Sequence, residues 1–334
     1  MIDVWAQDLQ QKAPIYCNIG FVMKNVWTKE QIKNGIDPKI CISEIEKGFV
    51  AYSQNRTTIA PVSSLTFQAP PADVHIKSGT MEGSDFYVVK IASGFYDNPK
   101  IGLNSSNGLM ILFSKKTGEL EAVLLDEGML TDTRTAIAGA IAAKHMAKKK
   151  IQKIGIIGTG IQAREQLYYL QFVTDCRNAM VWGRDKEKVE KYVNDEKLSS
   201  FSIDAALSID ELAEQCDLIV TTTPSTKALL FGAQIQPGTH ITAVGADHQG
   251  KQELDASVFE KADLICVDSL LQCSKYGDYS HALHLGLKNV MELGTLIANP
   301  PHREEDAITV ADLTGVAFQD LQIATAVLNA LKGR

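Results

Sequence analysis

The chain predicts an α/β protein, with a doubly wound parallel sheet in its second part and a mixed α+β unit in its first. Three features point there. Ile154–Ala163 reads Ile-Gly-Ile-Ile-Gly-Thr-Gly-Ile-Gln-Ala, an apolar strand entering a glycine-rich turn, and a helix-compatible run follows it. From Ile154 onward, short apolar strands alternate with helices, as in a parallel sheet covered on both faces. Up to about residue 130, strand-like runs bounded by turns dominate instead.

In order, Pro38–Gln54 predicts an amphipathic helix whose proline is tolerated in the first turn. Asp85–Ile91, Gly108–Phe113 and Leu120–Leu125 predict antiparallel strands, with Lys115–Gly118 as a hairpin turn. Alanine-rich Thr133–Lys149 predicts a strong helix linking the two parts. Ile154–Ile157 is the first strand of the second part, followed by a helix through Val173. Ala179–Trp182, Asp217–Thr222, His240–Val244 and Leu264–Val267 are further strands; Lys186–Asn194, Ser208–Gln215 and Ala256–Lys261 are helices. A last helix, Gln319–Leu331, lies beyond the α/β repeat and is expected to return to the first part.

A chain of 334 residues exceeds one ordinary core, so two domains are expected. No segment approaches the ~20 apolar residues of a membrane span, and no basic leader precedes an apolar run. The six cysteines, Cys17, Cys41, Cys176, Cys216, Cys266 and Cys273, are scattered without a CxxC or Cys/His cluster. That pattern predicts reduced thiols in a cytoplasmic protein, and no metal is implied. A net charge of −7 disfavours nucleic acid, and Lys148–Lys150 reads as a solvated helix end.

The strand–turn–helix setting turns Gly158-x-Gly160-x-x-Ala163 into a dinucleotide signature, with an ordinary glycine turn as the alternative. Gly158 permits the tight turn, Gly160 lets backbone approach a pyrophosphate, and Ala163 keeps helix and strand close. Thr159, Ile161 and Gln162 complete the loop at a helix N-terminus whose free N–H groups attract phosphate. The strand ending at Trp182 is followed by Gly183, Arg184 and Asp185. An Arg there reads a 2′-phosphate and an acid reads a ribose hydroxyl; Gly183 in the strand-end position followed by Arg184 leans towards NADP, with Asp185 as the NAD alternative. Thr135, Thr222, Thr223, Val244 and Gly245 complete the expected cofactor contacts.

Three more residues sit where chemistry is expected. Arg134, opening the linking helix, can hold a carboxylate with two parallel hydrogen bonds, unless it is a surface partner of Asp132 or Asp126. Lys90 interrupts an apolar strand, as an edge charge or as an amine facing a cleft, where burial lowers its pKa towards neutrality. Asp247 directly follows a strand of the α/β part, the address of a catalytic acid or of a turn cap.

Lys90–Gly102, Leu130–Ala136, Gly158–Ala163, Gly245–Asp255 and Asp312–Gly315 together resemble the ornithine cyclodeaminase/mu-crystallin family, over nearly the whole chain. The resemblance implies a homodimer, with residues 1–132 and 318–334 forming the substrate and dimerisation domain. Residues 133–317 would form an inserted Rossmann domain binding NAD(P). It places Lys90 beside substrate and nicotinamide, Arg134 and Arg56 on the substrate carboxylate, and Asp247 as acid/base. Ser105 falls where cyclodeaminases carry threonine, which counts against ornithine as substrate, and Lys77 is a further pocket candidate. The implied activity is an NAD(P)-dependent amino-acid dehydrogenase or ketimine reductase acting on a small 2-amino or 2-imino acid. Ornithine cyclodeaminase is the alternative, and a non-catalytic ligand-binding protein a third.

Overall fold

The computed structural model describes residues 25–333, so Cys17 and the start of the expected first domain lie outside the described residues. The fold class is the expected one. Two large sheets make up the chain, one mixed and one wholly parallel.

The first sheet has seven strands. Val26–Thr28 lies parallel to Leu120–Leu125, and Ser106–Ser114, Phe86–Phe95 and Pro71–Met81 continue antiparallel. Thr57–Ile59 and Ser63–Gln68 both pair with Pro71–Met81. Helices Pro38–Ser53 and Ala317–Leu331 pack together against this sheet, with Phe49 and Phe318 edge to face at 5.1 Å. Asp37 caps the first of these helices by accepting from the backbone N–H groups of Lys39 and Ile40.

The linking helix is Met129–Met146, beginning four residues before the expected start, because Asp126 Oδ2 accepts the Leu130 N–H at 2.7 Å and caps the extra turn. It is buried along most of its length, which puts Arg134 in the interior.

The second sheet has eight parallel strands. In spatial order they are Ser202–Ala205, Asn178–Trp182, Ile154–Ile157, Leu218–Thr221, His240–Ala243, Thr309–Asp312, Leu264–Val267 and Val290–Glu292. Chain order reverses between Ile154–Ile157 and Leu218–Thr221, and in open α/β sheets ligands bind outside the strand carboxyl ends at such a reversal. Among the described residues no helix is long and apolar enough to cross a membrane.

Candidate active site

At the chain reversal, Gly158, Thr159, Gly160, Arg184, Asp185, Lys188, Thr222 and Thr223 line a cleft of about 300 Å³. Gly158 has φ +125°, and a Cβ there would fall 2.3 Å from Thr222 Oγ1, so only glycine lets these two strand ends approach. A Cβ on Gly160 would meet nothing within 4 Å, so its backbone faces open space at the start of helix Ile161–Leu170. The residues fit a pyrophosphate: open backbone, free helical N–H groups and two nearby cations. Gln162 differs from its expected part, since its side chain donates to Asp132 Oδ1 at 3.1 Å and ties two helices together. Asp185 Oδ1 accepts from the Glu187 and Lys188 backbone N–H groups, capping helix Lys186–Val193, whereas Arg184 has no hydrogen bond or ion pair among the described residues.

A second cavity, about 420 Å³, opens between the sheets and is lined by Lys77, Lys90, Arg134, His75, Asp247 and His248. A small pocket bordered by Thr135, Val244 and Gln319 shares Arg134 and Asp247 with it. Lys77 and Lys90 are directly paired across strands Pro71–Met81 and Phe86–Phe95, so both side chains emerge on one face. The Lys90 amine lies 3.1 Å from Asp320 Oδ1 and 3.0 Å from Oδ2, and Arg134 Nε lies 3.1 Å from Oδ1. Arg134 Nη1 donates to Gln319 Oε1 at 3.0 Å, and Lys77 donates to the Gly315 carbonyl at 2.7 Å. Gly315 has φ +82°, and a Cβ there would sit 2.4 Å from Arg134 Nη1, so the loop can lie flat against the guanidinium.

Burial, helped by the Arg134 and Lys77 charges, pushes the Lys90 pKa down to about 7 although Asp320 pulls it up. Burial and then Arg134 lower that of Lys77. Burial alone would raise Asp320, but Lys90, Arg134 and Lys77 outweigh it and hold the carboxyl below the usual range. Two buried cations, Lys90 and Arg134, and the part-buried Lys77 thus face the buried acid Asp320.

Asp247 stands at the cavity mouth with 43 % of its side chain exposed, accepting from His248 Nδ1 and from Lys251, each at 2.6 Å. The burial it does have would raise its pKa, but those two donors hold it well below the usual carboxylate range. It is therefore ionised at neutral pH and a poor proton donor.

Arg56 and Ser105 are not brought to the cavity, which corrects their expected places. Thr57 pairs with Met81, so Arg56 lies opposite Glu82, five residues along the strand from Lys77, or roughly 16 Å at 3.3 Å per residue. Its side chain is exposed. The Ser105 carbonyl accepts the Phe95 N–H, likewise five residues beyond Lys90.

The sequence profile of the ornithine cyclodeaminase/mu-crystallin family matches residues 22–334. The chain belongs to this family. An uncharacterized cyclodeaminase of Sinorhizobium fredii is 40% identical over 278 residues, covering 81% of this chain and 84% of that protein. The alanine dehydrogenase of Archaeoglobus fulgidus is 34% identical over 313 residues, 92% of this chain and 95% of its own. An archaeal alanine dehydrogenase dimer solved with bound NAD superposes with TM-score 0.84 at 31% identity, over 92% of this chain and 96% of that one. Members of this ornithine cyclodeaminase/mu-crystallin family include NAD(P)-dependent oxidoreductases and cyclodeaminases acting on small amino or imino acids.

Two site residues escaped the sequence reading. Asp320 lies inside the helix foreseen at Gln319–Leu331, and an acid in an apolar helix face was the available signal. Glu253 is buried and accepts from Gly245 N at 2.7 Å, Thr221 Oγ1 at 2.8 Å and Thr223 N, tying the loop after His240–Ala243 to the Thr222–Thr223 edge of the dinucleotide cleft. Burial and the charge of Asp278 raise its pKa.

Proposed function

We propose that the protein is an NAD(P)-dependent amino-acid dehydrogenase or imine reductase acting on a small 2-amino or 2-imino acid. The observation that carries this reading is the cluster of Lys77, Lys90 and Arg134 around the single fully buried acid Asp320, with Asp247 at the mouth already taken up by His248 and Lys251. The cluster lies beside the loop after His240–Ala243, whose Gly245 packs against Thr223 of the dinucleotide cleft. A substrate carboxylate supplies the missing anion. Arg134 Nε faces Asp320 as an ion pair without a hydrogen bond and Nη1 donates to Gln319, leaving the Nη1/Nη2 edge for two parallel bonds to that carboxylate.

When bound, the nicotinamide accepts or donates a hydride at the substrate α-carbon. Lys90, with a pKa near 7, exchanges a proton with the substrate nitrogen, which needs a group poised near working pH. Asp247, ionised and anchored by His248 and Lys251, serves as an acceptor at the cavity mouth rather than as an acid. Asp185 committed to a helix cap, beside an unpartnered Arg184, favours NADP. The archaeal alanine dehydrogenase neighbour supports a homodimer.

Replacing Arg134 by Ala should raise KM roughly 30- to 1000-fold, the equivalent of about 2–4 kcal/mol for a charge-assisted carboxylate contact. Cofactor affinity should be nearly unchanged; an unaltered KM would remove Arg134 from the substrate. Cyclodeaminase chemistry is the second reading, favoured by the Sinorhizobium fredii relative. The same side chains would serve, with the hydride returned to the substrate and ammonia released.

A further inference from the structure

We propose that Asp73, His75 and His248 form a binding site for a divalent transition-metal ion of the zinc type at the mouth of the charged cavity. Among the described residues this is the one group of three such donors whose ligating atoms all lie within 4.8 Å of one another. Asp73 and His75 alternate on strand Pro71–Met81 and therefore share a face. His248 arrives from the other sheet, on the loop after His240–Ala243. The site thus clasps the two halves of the molecule across the cavity.

The ring geometry carries the inference. His248 Nε2 and His75 Nε2 face each other at 2.6 Å. Asp73 Oδ1 lies 3.7 Å from His75 Nε2, and Oδ2 lies 3.9 Å from His248 Nε2. Asp247, an acceptor, holds the proton of His248 on Nδ1, so Nε2 presents a lone pair. A carboxylate on the far nitrogen is the arrangement that orients metal-binding histidines and raises their basicity. Tyr96 donates to Asp73 Oδ2 and fixes that carboxylate in turn.

Two imidazoles and one carboxylate suit zinc, with bonds of about 2.0–2.2 Å. Tetrahedral ligands at that radius stand about 3.3 Å apart, so the rings would part by a few tenths of an ångström each while Asp73 closes in. Three protein donors leave a coordination position open. It would face the cavity holding Lys77, Lys90 and Arg134, where water or an oxygen of the substrate side chain could occupy it.

The test uses the full-length chain, freed of any histidine tag and stripped with chelator, then titrated with zinc and separately with cobalt(II). Calorimetry should show one ion per chain, cobalt should develop visible bands of nitrogen and oxygen ligation, and zinc should raise the unfolding midpoint. His75→Ala and His248→Ala should each abolish stoichiometric binding, and Asp247→Asn should weaken it about 10- to 100-fold. Circular dichroism confirms that each variant is folded. Failure of the unmodified protein to bind either ion at one equivalent overturns the proposal without recourse to any variant. Undiminished binding by folded His75→Ala/His248→Ala overturns it as well.

Discussion

Asp320→Asn keeps the shape of a fully buried side chain and removes its charge from the centre of the cation cluster. In the native protein, Lys90 stands within 3.1 Å of both carboxylate oxygens and Arg134 Nε within 3.1 Å of one. At an effective dielectric of about 20, each contact is worth roughly 5 kcal/mol before desolvation is counted. Breaking a buried pair by removing one partner typically leaves a net loss of about 3–5 kcal/mol, since the other charge stays buried and unpaired.

Lys90 has an escape that Arg134 lacks, because it can shed its proton. Its folded pKa, about 7, lies well below the 10.5 of a lysine in the unfolded chain, so the unfolded chain binds the extra proton between those values. Native stability from this group therefore rises with pH across that window. Without Asp320 the folded pKa falls further, and the cost of the substitution is greatest where Lys90 would otherwise be charged. Urea unfolding should show a loss of about 3–5 kcal/mol at pH 6 that shrinks by at least about 1 kcal/mol at pH 9. A loss under about 1 kcal/mol at pH 6, or one independent of pH, would refute the ion-pair reasoning.

If Lys90 is the proton donor, the rate of imine reduction should fall as pH rises through about 7, and Lys90→Met should abolish that dependence together with most of the activity. A pH-rate profile in which the break survives in Lys90→Met would assign it elsewhere. Arg184→Ala should weaken NADPH at least tenfold more than NADH in a fluorescence titration; equal losses would shift the reading to Asp185. Gly158→Ala puts a Cβ 2.3 Å from Thr222 Oγ1 at φ +125°, so dinucleotide binding should be lost or strongly weakened. Unchanged affinity would mean that the pyrophosphate does not lie on this loop.

The parallel sheet was legible because its strands are short and apolar, and buried on both faces: Ile154–Ile157, Leu218–Thr221, His240–Ala243 and Leu264–Val267 all fell within a residue or two of their expected bounds. Ser202–Ala205 and Thr309–Asp312 were not, since one is a mostly exposed edge strand and the other has polar ends. Pro71–Met81 shows the deeper reason. It carries Asp73, His75 and Lys77 where a core strand would carry apolar residues, because one face lines the charged cavity. In the same way Lys90 was recognisable by interrupting an apolar run, whereas Asp320, 230 residues away, becomes its counter-ion only through the final helix. Arg56 and Ser105 have suitable chemistry, yet strand register leaves them just before Thr57–Ile59 and Ser106–Ser114, five residues along from Lys77 and Lys90. His75 and His248 are separated by 173 residues, so no local spacing could have joined them.

The most direct test of the account is to incubate the purified protein with NAD or NADP and a panel of alanine, aspartate, ornithine, lysine and proline. Reduced-nicotinamide absorbance and ammonia are followed together, and cyclic imines are tested with NAD(P)H in reverse. Net cofactor reduction by one or more amino acids, or net NAD(P)H consumption by an imine, is the expected result. Ammonia release from ornithine with no net change in cofactor would contradict it and establish a cyclodeaminase instead.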